Sequence, residues 1–283
     1  MSVNTIYGVR AQLLAELGIP YYSIKGSTLN EHLLVKPFYG AQNPLKYPKR
    51  KYVGVGIGGH KKVVTPHGVP IERHNLFEPE YSQLFTHIPY VVRTPDNDLT
   101  LEEKLKYRMR AVLEKNGVIW LGYFLRPIEN MPTDVTITRL TSENGFISPV
   151  PFVHDEKYQS ILDSQLRTID TFNHETKTYD TISVSVNASL TFTADDVAEL
   201  LNSINVLYGS DEFPILSELG MFAGIETSSA PLLPTDQSTY LETDLTILSS
   251  YTPIRHTLVA GQAFEIPLDL GSNQLLSRAV TYV

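Results

Sequence analysis

The stretch from Thr181 to Gly224 constrains this 283-residue chain more than any other. Every second residue from Ile182 to Phe192 is apolar, and the residues between them are serine, threonine or asparagine. Successive side chains of a strand point to opposite faces, so the pattern predicts one long strand with one face in solvent.

A helix is predicted directly after this strand. Thr193 and Asp196 have the spacing of a capping box, in which the two side chains satisfy free backbone N–H groups. Apolar residues then recur at helical spacing, and Gly209 is the expected end. A second apolar segment runs from Ile215 to Ile225. The stretch predicts a folded core and contains no catalytic motif.

The rest of the chain is predicted to be rich in strands. Eighteen prolines, seventeen glycines and sixteen tyrosines favour turns and strands over a helical bundle. A β-hairpin is predicted from Lys106 to Arg126, because Asn116-Gly117 is a preferred two-residue turn. Further strand patterns are listed here in chain order: Ile88 to Arg93, Val135 to Leu140, Ile147 to Val153, Leu241 to Leu248, Ile254 to Val259, Ala263 to Leu268 and Ser277 to Val283. The predicted fold class is α+β and β-dominant, with antiparallel sheets in a sandwich-like core and a few short helices.

Two regions are expected along the chain. Residues 1–50 are predicted to form a short helix, from Val9 to Leu17, followed by an extended proline-rich arm. The arm lies either across a neighbouring subunit or around its own domain. Residues 51–283 are expected to form a single β-rich domain, with a sub-boundary near 130–180. A short helix is predicted from Tyr158 to Leu166, and a loop from Ser228 to Ser238.

Charge is distributed unevenly along the chain. Residues 1–80 carry ten basic and five acidic residues, a net charge of +5, whereas residues 195–283 carry two basic and twelve acidic residues, a net charge of −10. Because the two regions have opposite net charge, copies of the chain could stack head to tail. Alternatively, both regions could be ordinary solvated surface. The chain contains no cysteine, which excludes disulfides and thiolate catalysis. We expect no secretory signal and no membrane-spanning segment.

Two stretches resemble ligand sites at first inspection. Residues 51–60 contain four glycines, but a dinucleotide fingerprint needs a helix directly afterwards, and a strand or turn pattern follows here. We therefore expect a glycine-rich strand or bulge. His60, His67, His74 and His87 lie near Glu72 and Glu78, but no pair has the short spacing that presents two metal ligands on one element. The expected cofactors are none, and no metal ligand is assigned.

Other candidate residues also have ordinary structural explanations. Arg93, Arg108, Arg110 and Arg126 lie among aromatic residues, as in a surface that binds nucleic acid, but a solvated strand face is the favoured interpretation. Trp120 is expected in the core. The acidic pairs Asp195/Asp196 and Asp211/Glu212 are better explained as a helix start and a turn, and the polar cluster His154-Asp155-Glu156 lacks catalytic spacing. We assign no catalytic residue and expect no enzyme.

Three segments together resemble a family of uncharacterised virion structural proteins from tailed bacteriophages. The first is Lys51-Tyr-Val-Gly-Val-Gly-Ile-Gly-Gly-His60. The second runs from Ile88 through Asp98, Tyr107-Arg-Met-Arg110 and Asn116-Gly117 to Tyr123. The third is Leu207-Tyr-Gly-Ser-Asp-Glu-Phe-Pro-Ile-Leu-Ser-Glu-Leu-Gly-Met-Phe-Ala-Gly224.

This resemblance implies a non-enzymatic, multi-copy part of the head–tail connector, neck, collar, tail or baseplate. Its partners would be other copies of itself, arranged in a ring, and the portal, tail or baseplate proteins of the virion. No membrane and no sequence-specific nucleic-acid binding would be involved. Its location would be the virion, assembled in the host bacterial cytoplasm.

Two alternative functions remain open at this point. One is a host-surface or carbohydrate-binding module of a tail or baseplate, with tyrosines and Trp120 lining a groove. The other is a metal-dependent hydrolase that uses His60, His67 or His74 with Glu72.

Overall fold

The computed structural model describes residues 2–35, 46–129, 135–143, 146–151, 181–209, 214–228 and 241–275. It confirms the predicted fold class: the protein is α+β and β-dominant, with several antiparallel sheets and a few short helices. Several predicted segments lie outside these residues, namely 154–156, the helix 158–166, 211–212, all but the first residue of the loop 228–238, and the strand 277–283.

The chain divides into two compact units. Unit 1 comprises Met1–Ile128 and Thr191–Glu265, and unit 2 comprises Glu129–Leu190 and Ile266–Val283. The chain therefore passes between the units three times, whereas the sequence predicts an N-terminal region 1–50 and one domain over 51–283 with a sub-boundary near 130–180.

The helices among the described residues are α1 (Ile6–Glu16), α2 (Leu29–His32), α3 (Leu101–Lys104) and α4 (Ala194–Tyr208), with a 3-10 turn at Pro95–Asn97. The strands are β1 (Val3–Asn4), β2 (Lys49–Gly56), β3 (His60–Val64), β4 (Pro70–His74), β5 (His87–Ile88), β6 (Val91–Arg93), β7 (Met109–Lys115), β8 (Val118–Phe124), β9 (Arg126–Pro127), β10 (Thr136–Glu143), β11 (Phe146–Pro151), β12 (Thr181–Ser185), β13 (Asn187–Phe192), β14 (Ile215–Ser228), β15 (Leu241–Thr257), β16 (Phe264–Asp269) and β17 (Ser272–Leu275).

The main sheet of unit 1 has the strand order β1-β15-β14-β2-β5, and β9 also pairs with β2. Strands β14 and β15 form its centre and pair antiparallel from Ile215 opposite Thr257 to Ser228 opposite Leu241. Side chains on both faces of β14 are buried, with Phe222 in one hydrophobic cluster and Ile225 in another. A strand that is buried on both faces has a nearly continuous apolar sequence, as the segment 215–225 does.

Strand β15 joins two predicted strands into one. The patterns 241–248 and 254–259 were expected to be separate, but one strand runs from Leu241 to Thr257. Irregularities in its pairing with β14 interrupt the alternation, and Leu245 has a positive φ of 49°. Bulges of this kind add a residue on one strand and shift the side chains to the other face.

The stretch 182–192 is not one strand, so this prediction is wrong. Strand β12 pairs with β10 and β17, in the sheet order β11-β10-β12-β17, and β13 pairs with β16 after a break at Val186. Alternation reports which face each side chain occupies, but it carries no information on which strand lies alongside. The following helix is confirmed, because Thr193 and Asp196 form the capping box of α4, and Gly209 ends it with a φ of 64°.

The predicted hairpin is confirmed as β7 and β8, joined by Asn116 and Gly117 with φ of 53° and 76°. Two positive φ values are typical of a type I′ turn, whose twist matches that of the strands. These strands form a three-stranded sheet with β6. The strand predicted from Ile88 to Arg93 is divided at Pro89 into β5 and β6, which belong to different sheets, because proline cannot donate to a strand ladder.

The N-terminal residues are integrated into unit 1. The predicted helix 9–17 is α1, which begins earlier because Thr5 caps it by accepting from the N–H of Gly8. The described parts of the predicted arm are residues 19–35, which wrap their own unit, and residues 46–50, which lead into β2 of the main sheet. The amide of Asn30 donates to the carbonyl of Thr243 and accepts from the N–H of Thr246, both on β15.

Candidate interaction surfaces

The glycine-rich stretch is a strand, as predicted, and no helix follows it. It forms β2 and the turn into β3. A Cβ atom at Gly56 would lie 2.5 Å from both a carboxylate oxygen of Glu218 and the carbonyl oxygen of Thr86. The glycines therefore allow neighbouring backbone to approach closely, which is a packing role.

A buried carboxylate holds this region together. Glu218 of β14 is fully buried, and it accepts hydrogen bonds from the backbone N–H groups of Gly58, Phe85 and Thr86 at 2.8 to 3.0 Å. Burial raises the pKa of Glu218, while these three hydrogen bonds act in the opposite direction. The sequence analysis missed this residue, although a single charge inside the apolar segment 215–225 was a signal for it.

The histidines are distributed over a hairpin and the core. Strands β3 and β4 form a two-stranded ribbon in which His60 lies opposite His74. Glu72 lies in the same ribbon, but its carboxylate binds the guanidinium of Arg255 at 2.7 Å. Within the described parts of the chain, no three histidine, aspartate or glutamate side chains are grouped so that they could hold a metal ion.

His87 is separated from the ribbon and lies against aromatic rings. Its ring is stacked on Phe222, with the ring centroids 5.4 Å apart, and meets the ring of Phe124 edge-on. Both ring nitrogens are buried, and neither has a hydrogen-bond partner within the described residues. Burial lowers the pKa of His87 to about 3. The imidazole is therefore neutral at physiological pH.

The four arginines do not form a solvated strand face, so this interpretation is wrong. Each is paired with an acid from α4, β14 or β15 in unit 1. The pairs, with their closest nitrogen–oxygen distances in salt-bridge geometry, are Arg93–Glu199 (2.5 Å), Arg126–Asp196 (3.2 Å), Arg108–Glu226 (3.6 Å) and Arg110–Glu242 (4.0 Å). Arg110 is fully buried. Their partners lie about a hundred residues away along the chain, where local patterns give no indication of pairing.

These pairs also change the interpretation of the charge asymmetry. Four of the twelve acids after residue 194 neutralise arginines of the same unit. Part of the excess negative charge is therefore used inside the fold. The remaining exposed carboxylates are those that can act on other molecules.

Helix α1 carries an apolar surface on the side away from β15. Gly8 and Ala11 are buried against the sheet. On the opposite side four side chains are between 46% and 69% exposed: Ile6, Val9, Leu13 and Leu17. They line one groove of about 470 Å³. We call these four residues the α1 surface. A signal was present in the sequence, since Ile6, Val9, Leu13 and Leu17 recur at helical spacing.

Trp120 is only half-buried, so its predicted place in the core is wrong. It lies opposite Leu113 in the hairpin, two residues from the turn. The neighbouring Val118 and Ile119 are 43% and 51% exposed. The end of a hairpin has few neighbours to cover its side chains, and this explains the exposure.

Comparisons with known proteins identify a family but no function. A family model described as "Family of unknown function (DUF7208)" matches residues 1–279. No curated protein and no solved structure matches the chain. Among the described helices, none has the length and apolar character needed to span a membrane.

Proposed function

We propose that this chain, which belongs to a family of unknown function (DUF7208), is a structural component of a tailed-phage virion. It would act in the head–tail connector, neck, collar or tail by symmetric self-association and by contact with portal, tail or baseplate proteins. Its location would then be the virion, assembled in the cytoplasm of the host bacterium. The proposal starts from the resemblance of the three segments to virion structural proteins.

The observation that carries this proposal is the α1 surface. An exposed apolar side chain remains in contact with water, and its burial against a partner is favourable. Contiguous apolar patches on a folded protein are typical of protein–protein interfaces. Leu13 and Leu17, which are 51% and 69% exposed, lie at the C-terminal end of this patch.

The arginine pairs add support for a structural part. Arg93, Arg108, Arg110 and Arg126 are each paired with an acid of the same unit, so these four arginines do not form a basic face for nucleic acid. The same pairs connect α4, β14 and β15 to β6, β7, β9 and the residue before β7 in unit 1. Ion pairs that link separate elements in this way are what we expect of a rigid structural subunit.

The experiment that tests the proposal combines a surface variant with mass spectrometry of phage particles. Leu13→Glu with Leu17→Glu places two charges in the α1 surface. Since these side chains are mostly exposed, we expect the melting temperature of the isolated protein to change by only about 2 °C. Incorporation into particles, measured relative to the major capsid protein, should fall by about tenfold or more, since buried unpaired charge opposes association.

The matched control is Gln12→Glu with Ala15→Glu. Both positions are exposed on the same helix but do not line the groove, and the added charge is the same. This control should be incorporated as well as the unmodified protein, at a fixed copy number that fits a closed ring. Absence of the unmodified protein from particles would overturn the proposal.

A carbohydrate-binding module is the second candidate, and the exposure of Trp120 favours it. Partly exposed tryptophan rings form apolar platforms that keep a polar edge in solvent. Under this alternative, the isolated protein should bind glycans of the host surface, and Trp120→Ala should abolish that binding. Unchanged binding by Trp120→Ala would remove this ligand site.

A further inference from the structure

A group of unpaired cations lies at the start of β2. It consists of Lys46, Lys49, Arg50 and Lys51. No carboxylate of the described residues forms a salt bridge with any of the four. This differs from the four arginines 93, 108, 110 and 126, each of which has an acidic partner in the same unit. The group is therefore a positive surface that the described part of the fold does not neutralise.

Three of these cations line a groove of about 300 Å³ together with Tyr47. Residues 224–226 of β14 also line it. Lys46, Lys49 and Lys51 are exposed. We call this the lysine groove.

The three groove lysines give this surface its charge. Arg50 lies between Lys49 and Lys51 in β2 but does not line the groove, since successive side chains of a strand point to opposite faces. Lys46, Lys49 and Lys51 are exposed, and none forms a salt bridge with a described carboxylate. The lysine groove therefore favours a negatively charged partner.

Unit 1 also exposes three carboxylates on elements that lie near Arg93. Asp96 lies in the 3-10 turn that follows β6, Glu102 in α3, and Asp195 in the first turn of α4. All three are exposed, and none forms a salt bridge with a described cation. The elements are close to one another, because Arg93 binds Glu199 of α4 and also interacts with Glu103 of α3.

We propose that the lysine groove of one copy binds the acidic face, Asp96, Glu102 and Asp195, of a second copy. The argument is charge complementarity between two different surfaces of unit 1, and it rests on the proposed function of self-association. A contact between different surfaces is head-to-tail, and it closes into a ring when the rotation per subunit divides a full turn. Electrostatic complementarity of this kind sets the register and speeds association.

A second copy fits the groove better than a nucleic acid does. The carboxylate of Glu226 lies in the groove, and its side chain is 40% exposed. The closely spaced phosphates of a nucleic acid would be repelled by the Glu226 carboxylate. The carboxylates of a protein partner are further apart, so they can bind the lysines without lying next to Glu226.

The test is a charge swap in the full chain, measured as copies per phage particle. The groove variant is Lys46→Glu, Lys49→Glu and Lys51→Glu, and the face variant is Asp96→Lys, Glu102→Lys and Asp195→Lys. We expect each variant alone to lower incorporation by about tenfold or more, because like charges then meet across the contact. A chain that carries all six changes has the original net charge, and it should recover most of the incorporation.

The matched control is Lys25→Glu, Lys61→Glu and Arg73→Glu, which reverses three other exposed cations of unit 1. It should be incorporated normally. Circular dichroism melting of every variant shows whether it is folded. If the groove variant does not fold, the single change Lys49→Glu is used in its place, and if the face variant does not fold, Asp195→Lys is used.

The outcomes separate this inference from the proposed function. Absence of the unmodified protein from particles overturns both. Normal incorporation of both swapped variants, or an equal loss in the control, overturns only the contact between groove and face. If the groove variant loses incorporation and the chain with all six changes does not recover it, the groove binds a different anionic partner. This result also overturns the inference.

Discussion

At the scale of single residues, unit 1 buries the charged pair Arg110–Glu242, and both ring nitrogens of His87 lack a hydrogen-bond partner among the described residues. Arg110 is the largest fully buried side chain, and it faces Glu242. A buried ion pair gains little over apolar packing, but removal of one partner leaves a buried charge that costs about 3–5 kcal/mol. Other arrangements of the strands of unit 1, in which these charges would be buried without their partners, are therefore unfavourable.

His87 makes the stability of the protein sensitive to acid. Its pKa in the folded state is about 3, below the ordinary value of 6.5, and burial is the cause. The unfolded chain therefore binds the proton more readily, so the stabilisation is complete above pH 6.5 and is lost as the pH falls toward 3. At pH 5 the loss from this residue is about 2 kcal/mol.

The variant His87→Phe tests this prediction, because phenylalanine retains the stacking on Phe222 and cannot titrate. The free energy of urea unfolding should be measured for both proteins between pH 7 and pH 5. The unmodified protein should lose about 2 kcal/mol more than the variant over this range. Parallel pH curves for the two proteins would contradict the prediction.

At the scale of secondary-structure elements, the position of α1 depends on a single glycine. A Cβ atom at Gly8 would lie 2.6 Å from the carbonyl oxygen of Ser249 in β15. On an isolated helix, glycine-to-alanine stabilises by about 1 kcal/mol. Here the added methyl group pushes the helix off the sheet, so Gly8→Ala should instead destabilise by about 1–3 kcal/mol.

The measurement is the midpoint of urea unfolding, with the slope checked for two-state behaviour. Gln12→Ala is the control, since it lies on the exposed side of the same helix and should shift stability by no more than about 0.5 kcal/mol. A stabilising Gly8→Ala would show that α1 does not contact β15 as closely as described.

At the scale of the whole molecule, protection should be concentrated in the centre of the main sheet. Strands β2, β14 and β15 are paired along most of their length and carry the buried clusters. The β3–β4 ribbon is a two-stranded sheet and is mostly exposed. An isolated pair of strands is marginally stable in water.

Hydrogen exchange followed by mass spectrometry tests this expectation on the full chain. Peptides from 218–225 and 245–251 should exchange only by global unfolding, whereas peptides from 60–74 should exchange at least about a hundredfold faster by local opening. Equal protection of the ribbon would mean that it is covered by a further contact. In assembled particles, the same experiment would report which exposed elements become protected.

Local interactions were predicted well because they involve residues within a few positions of each other. The side chains of Thr193 and Asp196 satisfy free backbone N–H groups, and Asn116 with Gly117 turns the chain, so residue type and spacing are sufficient. For the same reason, the sequence by itself determined α4, the hairpin and the β-dominant class.

Only the tertiary structure decided the partners of these elements. It divided the alternating stretch 182–192 between two sheets, assigned an acid to each of the four arginines, and buried the ring nitrogens of His87. It also exposes the apolar side chains of the α1 surface and the lysines of the groove. Each of these features depends on residues that are distant in the sequence, and their pairing is set by packing and charge neutralisation across the whole unit, which no local pattern records.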